Sequence, residues 1–312
     1  MLRYTGKRVL IGIVSLYVLV TASFFLVRQI PGSPFETGNV SEQVQEEMER
    51  QYGLDQPLSE QYWIYLRNLL HGDLGISYRN PGVSVTEIIR RAWPVTFRIG
   101  ILAVLTALLG GTLLGIWQAS AKKKEIRYGI LFGTVLGNGI PNFVLALVLA
   151  FLFGIKWNVL PIVGLDNWQS YILPVLSLAV CPMAAVTRIT CNAFQEELSQ
   201  DYVVLARAKG LKPCRIAMTH VLRNAWIPVL NYVGPASAFL LTGSFAVESI
   251  FTIPGLGREF VYSIGNRDYT LILGLTVFMG AVVIWVNLLT DLLCALLNPE
   301  IRRGYVQGGE WL

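Results

Sequence analysis

TFRIGILAVLTALLGGTLLGIWQAS, residues 96–120, carries one charged side chain, Arg98, in its whole length. About 20 apolar residues in a helix cross the hydrocarbon core of a bilayer, so this stretch reads as a membrane span. Five more stretches qualify: Val9–Val27, Tyr128–Gly154, Tyr171–Ile189, Trp226–Val247 and Thr270–Leu297. The 312 residues are 54% hydrophobic and 14% charged, where a soluble domain carries about a quarter charged residues. Mean hydropathy is +0.53. The stretch Pro31–Trp93, between the first two spans, is too polar to face lipid, because irregular backbone has no partners there. The expected fold is an all-α membrane protein of six transmembrane helices with a long extracytoplasmic segment. Its parts are an N-terminal helix (1–30), that segment (31–93), a five-helix core (94–300) holding a cytoplasmic loop (190–225), and a cytoplasmic tail (301–312).

Orientation follows from Lys and Arg beside the spans. Arg3, Lys7, Arg8, Lys122, Lys123, Lys124, Arg127, Arg188, Arg207, Lys209, Lys212, Arg215, Arg223, Arg302 and Arg303 fall on one side. The short loops opposite hold Lys156, Arg258 and Arg267. Both termini are therefore expected in the cytoplasm, in a multi-pass protein of the bacterial inner membrane. The net charge of +5 is a topology signal rather than a nucleic-acid footprint. The first span resembles a signal peptide at Arg3, Lys7 and Arg8. Its apolar run is long for one, and Arg28 bounds it instead of a cleavage site, so it reads as a retained helix.

Several chemistries lack their residues. Cys181, Cys191, Cys214 and Cys294 form no C-x-x-C pair and read as apolar filler. With only His71 and His220, no metal site and no catalytic residue is expected. No G-x-x-x-x-G-K-[ST], H-E-x-x-H or G-x-S-x-G occurs, which speaks against an ATP site or an intramembrane enzyme. Proton-coupled carriers bury ionisable groups at depth, whereas Glu248 and Asp291 lie near span ends.

The segment Pro31–Trp93 is acidic: Glu36, Glu42, Glu46, Glu47, Glu49, Asp55, Glu60, Asp73 and Glu87 against Arg50, Arg67, Arg79, Arg90 and Arg91. Ser59 reads as an N-cap of a helix with Tyr62, Leu66, Leu69 and Leu70 on one face, ending at Gly72. That helix reads as one lying on the membrane interface or packed against the bundle, as a docking surface for an external protein, or as both. Gly129, Gly133 and Gly137, like Gly110, Gly111 and Gly115, suggest close helix contacts. Pro141, Pro174, Pro182, Pro228 and Pro235 suggest kinks. Asn138, Asn142, Asn231 and Asn287 bond between helices or line an aqueous route.

The cytoplasmic loop is the most informative stretch. Glu196–Ala208 has acids early and bases late and is stopped by Gly210, and Pro213 suits the first turn of a second helix. Tyr202, Val203, Leu205, Ala206, Leu211, Ile216 and Met218 are too apolar for a free linker and predict a partner surface. Ala206-Arg207-Ala208-Lys209-Gly210-Leu211, then His220-Val221-Leu222-Arg223-Asn224-Ala225, resembles the coupling loop of permease subunits of binding-protein-dependent ABC importers, in the peptide and nickel branch. Val204 replaces the Glu of the general motif and Arg223 replaces a common Pro, so no salt bridge from that Glu operates here. The resemblance extends along the chain through Pro31-Gly32-Ser33-Pro34-Phe35, Tyr52-Gly53-Leu54-Asp55-Gln56-Pro57 and Gly72-Asp73-Leu74-Gly75. It continues through Thr242-Gly243-Ser244, Glu248-Ser249-Ile250-Phe251, Pro254-Gly255-Leu256-Gly257, Asn266-Arg267-Asp268-Tyr269 and Asn298-Pro299. These runs are most similar to the first permease subunit of oligopeptide importers.

That resemblance implies a type I importer fold, a second homologous permease, two ABC ATPases that bind the ATP, and an extracytoplasmic substrate-binding protein. The cargo is expected to be peptides, alternatively nickel or a metal chelate. Tyr202, Val203, Leu205, Ala206, Arg207, Ala208, Lys209, Gly210, Leu211, His220, Arg223 and Asn224 are the expected coupling residues. The turn-rich stretch Glu248–Tyr269, with Phe251, Pro254, Gly255, Gly257, Arg267 and Asp268, is the expected outer gate or binding-protein side. No residue is assigned to the cargo.

Overall fold

The structure, a computed structural model, describes residues 2–30, 34–35 and 42–297. Pro31, Gly32, Ser33, Glu36, Asn298, Pro299, Arg302, Arg303 and the tail 301–312 lie outside the described residues. Apart from one antiparallel bridge between Ile76 and Ser84, the regular elements described are helices.

Helix α1 (Leu2–Val27) is followed by two short outer helices, α2 (Glu42–Gln51) and α3 (Leu58–Leu70). Ser59 is not the cap of α3: Pro57 occupies that position, and proline's fixed φ suits a helix entry without any side-chain bond. The expected apolar face is only partly used. Tyr62, Leu66 and Leu69 are half-buried, but Leu70 is 87% exposed. Tyr65 takes its place, stacking 5.6 Å from Phe24 of α1, while the Tyr62 hydroxyl lies 2.7 Å from Thr21 Oγ1.

Helix α4 (Val85–Ser120) begins well before the expected Thr96. Ser84 caps it, its hydroxyl accepting from Glu87 N at 3.2 Å, and Pro94 sits inside it. The division after Trp93 therefore falls within one continuous helix. The α4 glycines pack as expected against α7 (Ile172–Leu198). A Cβ on Gly111 would lie 2.7 Å from Val186 Cβ, and one on Gly115 2.7 Å from Thr187 O. Backbones this close require the missing side chain.

The third span is two helices. α5 (Lys124–Gly139) and α6 (Asn142–Leu149), which runs on as a π-helical turn Ala150–Lys156, meet at a 106° bend beside Pro141. Gly129 and Gly133 do not mediate close packing, since nothing approaches them, whereas Gly137 meets Val180 and Ala184 of α7. A four-residue spacing drifts about 40° per step around a helix of 3.6 residues per turn, and only the last member faces the bundle.

The loop expected in the cytoplasm holds α8 (Asp201–Ala208), α9 (Pro213–Ile216) and a π-helical turn Ala217–Val221. That turn leads without a break into α10 (Leu222–Thr242), so the fifth span starts before the expected Trp226. At the other end of α10, on the side expected to face outward, come α11 (Phe245–Ile250) and α12 (Leu256–Gly265), followed by α13 (Tyr269–Leu297). Helix α10 packs on α4, α7 and α13, and α1 packs on α13. Arg8 and Asp291 join these last two, Nε to Oδ2 at 3.2 Å. Asn138 bonds between helices, accepting from Cys181 Sγ at 3.8 Å.

Candidate functional site

The inner elbow is an inward-facing half and an outward-facing half on the same short helices. Val203, Ala206, Ile216 and Val221 are buried with Phe194 and Ala225, against Ile116 and Ala119 of α4. Tyr202 and Leu211 are half-buried at its edge. The expectation that all the loop's apolar residues await a partner is therefore corrected for Val203, Ala206 and Ile216, whose surface is covered by the chain itself. Val204, Leu205 and Met218 remain exposed, at 59%, 57% and 57%. Arg207, Ala208, Lys209, His220 and Arg223 are exposed beside them.

Two features fix the elbow. Gly210 has φ +74°, a left-handed turn that closes α8 and that a side chain would strain. The Tyr202 hydroxyl bonds to Glu197 Oε2 at the end of α7, and Asn224 Nδ2 of α10 donates to the same oxygen at 3.2 Å. Burial and the Glu197 carboxylate push the Tyr202 hydroxyl up to about 12, so it remains a donor at neutral pH. Glu197 thus links α8 to α7 and, through Asn224, to α10. Tyr202 and Asn224 were legible in the sequence; Glu197 was read only as one of the acids that start a helix.

The outer stretch divides into two anchors. Glu248 is buried; its Oε1 accepts from Thr96 Oγ1 of α4 at 3.0 Å and its Oε2 from Arg258 N at 2.9 Å. Thr96 Oγ1 also accepts from Leu256 N at 2.8 Å. The carboxylate therefore sits on the free N–H groups at the start of α12, where a helix favours negative charge. Glycines make the room: a Cβ on Gly255 would lie 2.5 Å from Glu248 Oε2, and one on Gly257 2.7 Å from Phe245 N. Phe251 is core, and its carbonyl accepts from Gly164 N at 3.2 Å, while Pro254 is exposed at the turn.

The second anchor is Asp268, also buried. Its Oδ1 accepts from Leu271 N at 3.1 Å, capping α13, and from Tyr78 N at 3.2 Å; its Oδ2 accepts from Ser77 Oγ at 2.5 Å. Arg267 supplies the left-handed turn, φ +55°, before it. The predicted gate residues are thus brought together as fasteners. Glu248, Gly255 and Gly257 tie α11 and α12 to α4, and Asp268 ties α13 to the loop after α3. Thr96 and Ser77, their partners, carry no sequence signal.

Residues 111–303 match the family of binding-protein-dependent transport system inner membrane components, and residues 1–100 match the N-terminal part of such components. The chain belongs to this family. Among its relatives, the dipeptide transport system permease protein DppB of Bacillus subtilis is 40% identical over 303 residues, 97% of this chain and 98% of that protein. The oligopeptide transport system permease protein OppB of Escherichia coli is 37% identical over 306 residues, 97% of this chain and all of its own length. A chain of the inward-facing MetNI methionine ABC transporter shares the fold with TM-score 0.54 at 16% identity, over 69% of this chain and 96% of its own. This inner membrane component is therefore an all-α membrane protein with the transmembrane fold of an ABC importer. Its elbow and outer anchors lie at opposite ends of α10.

Proposed function

We propose that this chain is the pore-forming subunit of an ATP-driven importer that passes peptides from an external binding protein into the cytoplasm. The observation that carries the mechanism is the elbow: exposed Leu205 on α8, which Tyr202 fastens to α7, and exposed Met218 on the turn that runs without a break into α10. An ATPase groove that covers those side chains when it closes on ATP pushes α8, and α7 and α10 move with it. Two ATPases and a second, homologous permease complete the assembly, with both termini of this chain in the cytoplasm. ATP is held by the partners, and no cofactor is held here. Peptide cargo is supported by near full-length relatives named for dipeptide and oligopeptide transport. The outer anchors then move as a block with α4, α10 and α13, giving the binding protein a firm surface.

The test is uptake into proteoliposomes holding the chain, its second permease and the ATPases, with the binding protein outside. ATP-dependent accumulation of a labelled dipeptide is expected. Accumulation of nickel without the dipeptide would overturn the peptide assignment.

A further inference from the structure

A cavity of about 320 Å³ opens at the outer end of α1, away from the α4–α7–α10 bundle, between α1, α3, the loop after α3 and the start of α13. Its size is at the low end for small-ligand sites. Three lining side chains, Arg28, Gln61 and Tyr65, carry buried polar atoms without a hydrogen-bond partner: Arg28 Nε, Gln61 Oε1 and Tyr65 Oη. Buried groups of this kind normally find partners, and each one left without costs stability. The three are held rather than loose. Gln61 is 8% exposed, and its Nε2 donates to Leu54 O at 3.1 Å and Gln56 O at 2.7 Å, which leaves Oε1 as the acceptor. The Arg28 guanidinium rests 5.3 Å from the Phe24 ring and 5.2 Å from the Tyr269 ring. Burial raises the Tyr65 hydroxyl, which stays protonated as a donor. Asp73 also lines the cavity, with Oδ1 already accepting from Gly75 N at 2.8 Å.

We propose that this cavity binds a phosphodiester monoanion whose head bears hydrogen-bond donors, supplied by a phospholipid headgroup or by the corresponding soluble glycerophosphodiester. Arg28 and Tyr65 give the cation and donor that non-bridging phosphate oxygens accept from. Gln61 Oε1 and Asp73 accept from the head's hydroxyl or ammonium group. The depth suits a lipid. Arg28 closes the apolar run of α1, tyrosines gather there as they do at bilayer interfaces, and Phe25 and Leu26 beside it are exposed on the outside of the bundle. An occupant here bridges α1 to α3 and α13, on the periphery rather than on the cargo route.

The experiment is native mass spectrometry of the assembled importer after delipidation, with phosphatidylglycerol or soluble glycerophosphoglycerol added back. Wild type should retain phosphodiester at this chain, and Arg28→Gln should lower occupancy about tenfold or more. Arg28→Lys should keep part of it, and Tyr65→Phe should lose less than Arg28→Gln, while subunit composition stays unchanged for all three. Retention of the lipid alone makes the source the bilayer; retention of both makes the head sufficient. Retention of neither, equal occupancy in wild type and Arg28→Gln, or retention of a dipeptide in place of the phosphodiester would overturn the proposal.

Discussion

Gly243 and Gly210, at opposite ends of the bundle, each end a helix at a corner with positive φ, +96° and +74°. Their surroundings differ. A Cβ on Gly243 would lie 2.7 Å from Glu248 Oε1 and 2.9 Å from Thr96 Cγ2, whereas nothing lies within 4 Å of one on Gly210. The corner at Gly243 is filled to capacity by its own anchor, and the corner at Gly210 is open. On the proposed function that asymmetry has a use: a rigid block on the binding-protein side, and an unfinished apolar surface for the ATPase.

The comparison breaks most readily at Gly243. Its ψ of 155° with φ +96° places it in a region only glycine populates, so Gly243→Ala combines backbone strain with a collision on the carboxylate. Loss of about 3 kcal/mol or more is expected, read as a large fall in the Tm of the purified assembly together with lost transport. A Tm within a degree or two of wild type would show that the outer corner yields and is no block.

Gly210→Ala sharpens the contrast. It meets only the left-handed backbone cost, about 1–2 kcal/mol, with no steric term. A small fall in Tm should accompany a larger fall in transport, because α8 is re-aimed while the bundle stays packed. Equal losses at both glycines would remove the distinction.

Leu205→Glu should have the smallest effect on the chain alone, within about 0.5 kcal/mol, as for an exposed position. Its effect should appear in assembly, where the two ATPases no longer co-purify while the second permease does. ATPases that remain bound would place the docking surface elsewhere on the elbow.

Much of this was legible in the sequence because it is local. Apolar length marks a span, and Gly210 followed by Pro213 marks the elbow; each depends on a few neighbouring residues. The α4 glycines were legible for the same reason, as a close approach needs residues without side chains. The α5 glycines misled because identical spacing says nothing about which way a helix is turned. Ser59 misled because a capping residue competes with a proline two positions earlier. The apolar elbow residues were right in kind but not in direction: Val203 and Leu205, two apart on one short helix, point to the chain's own core and to its surface.

The sequence alone determined that this chain is a helical membrane protein, roughly where its apolar spans lie and which family it joins. Only the tertiary structure decided that Glu248 is held by Thr96, 152 positions away, and Asp268 by Ser77, 191 positions away. It also decided that Arg28, Gln61 and Tyr65 border one cavity. A buried carboxylate must find donors, but which helix supplies them is set by the packing of α4, α10, α12 and α13, and that packing carries no period that a sequence displays.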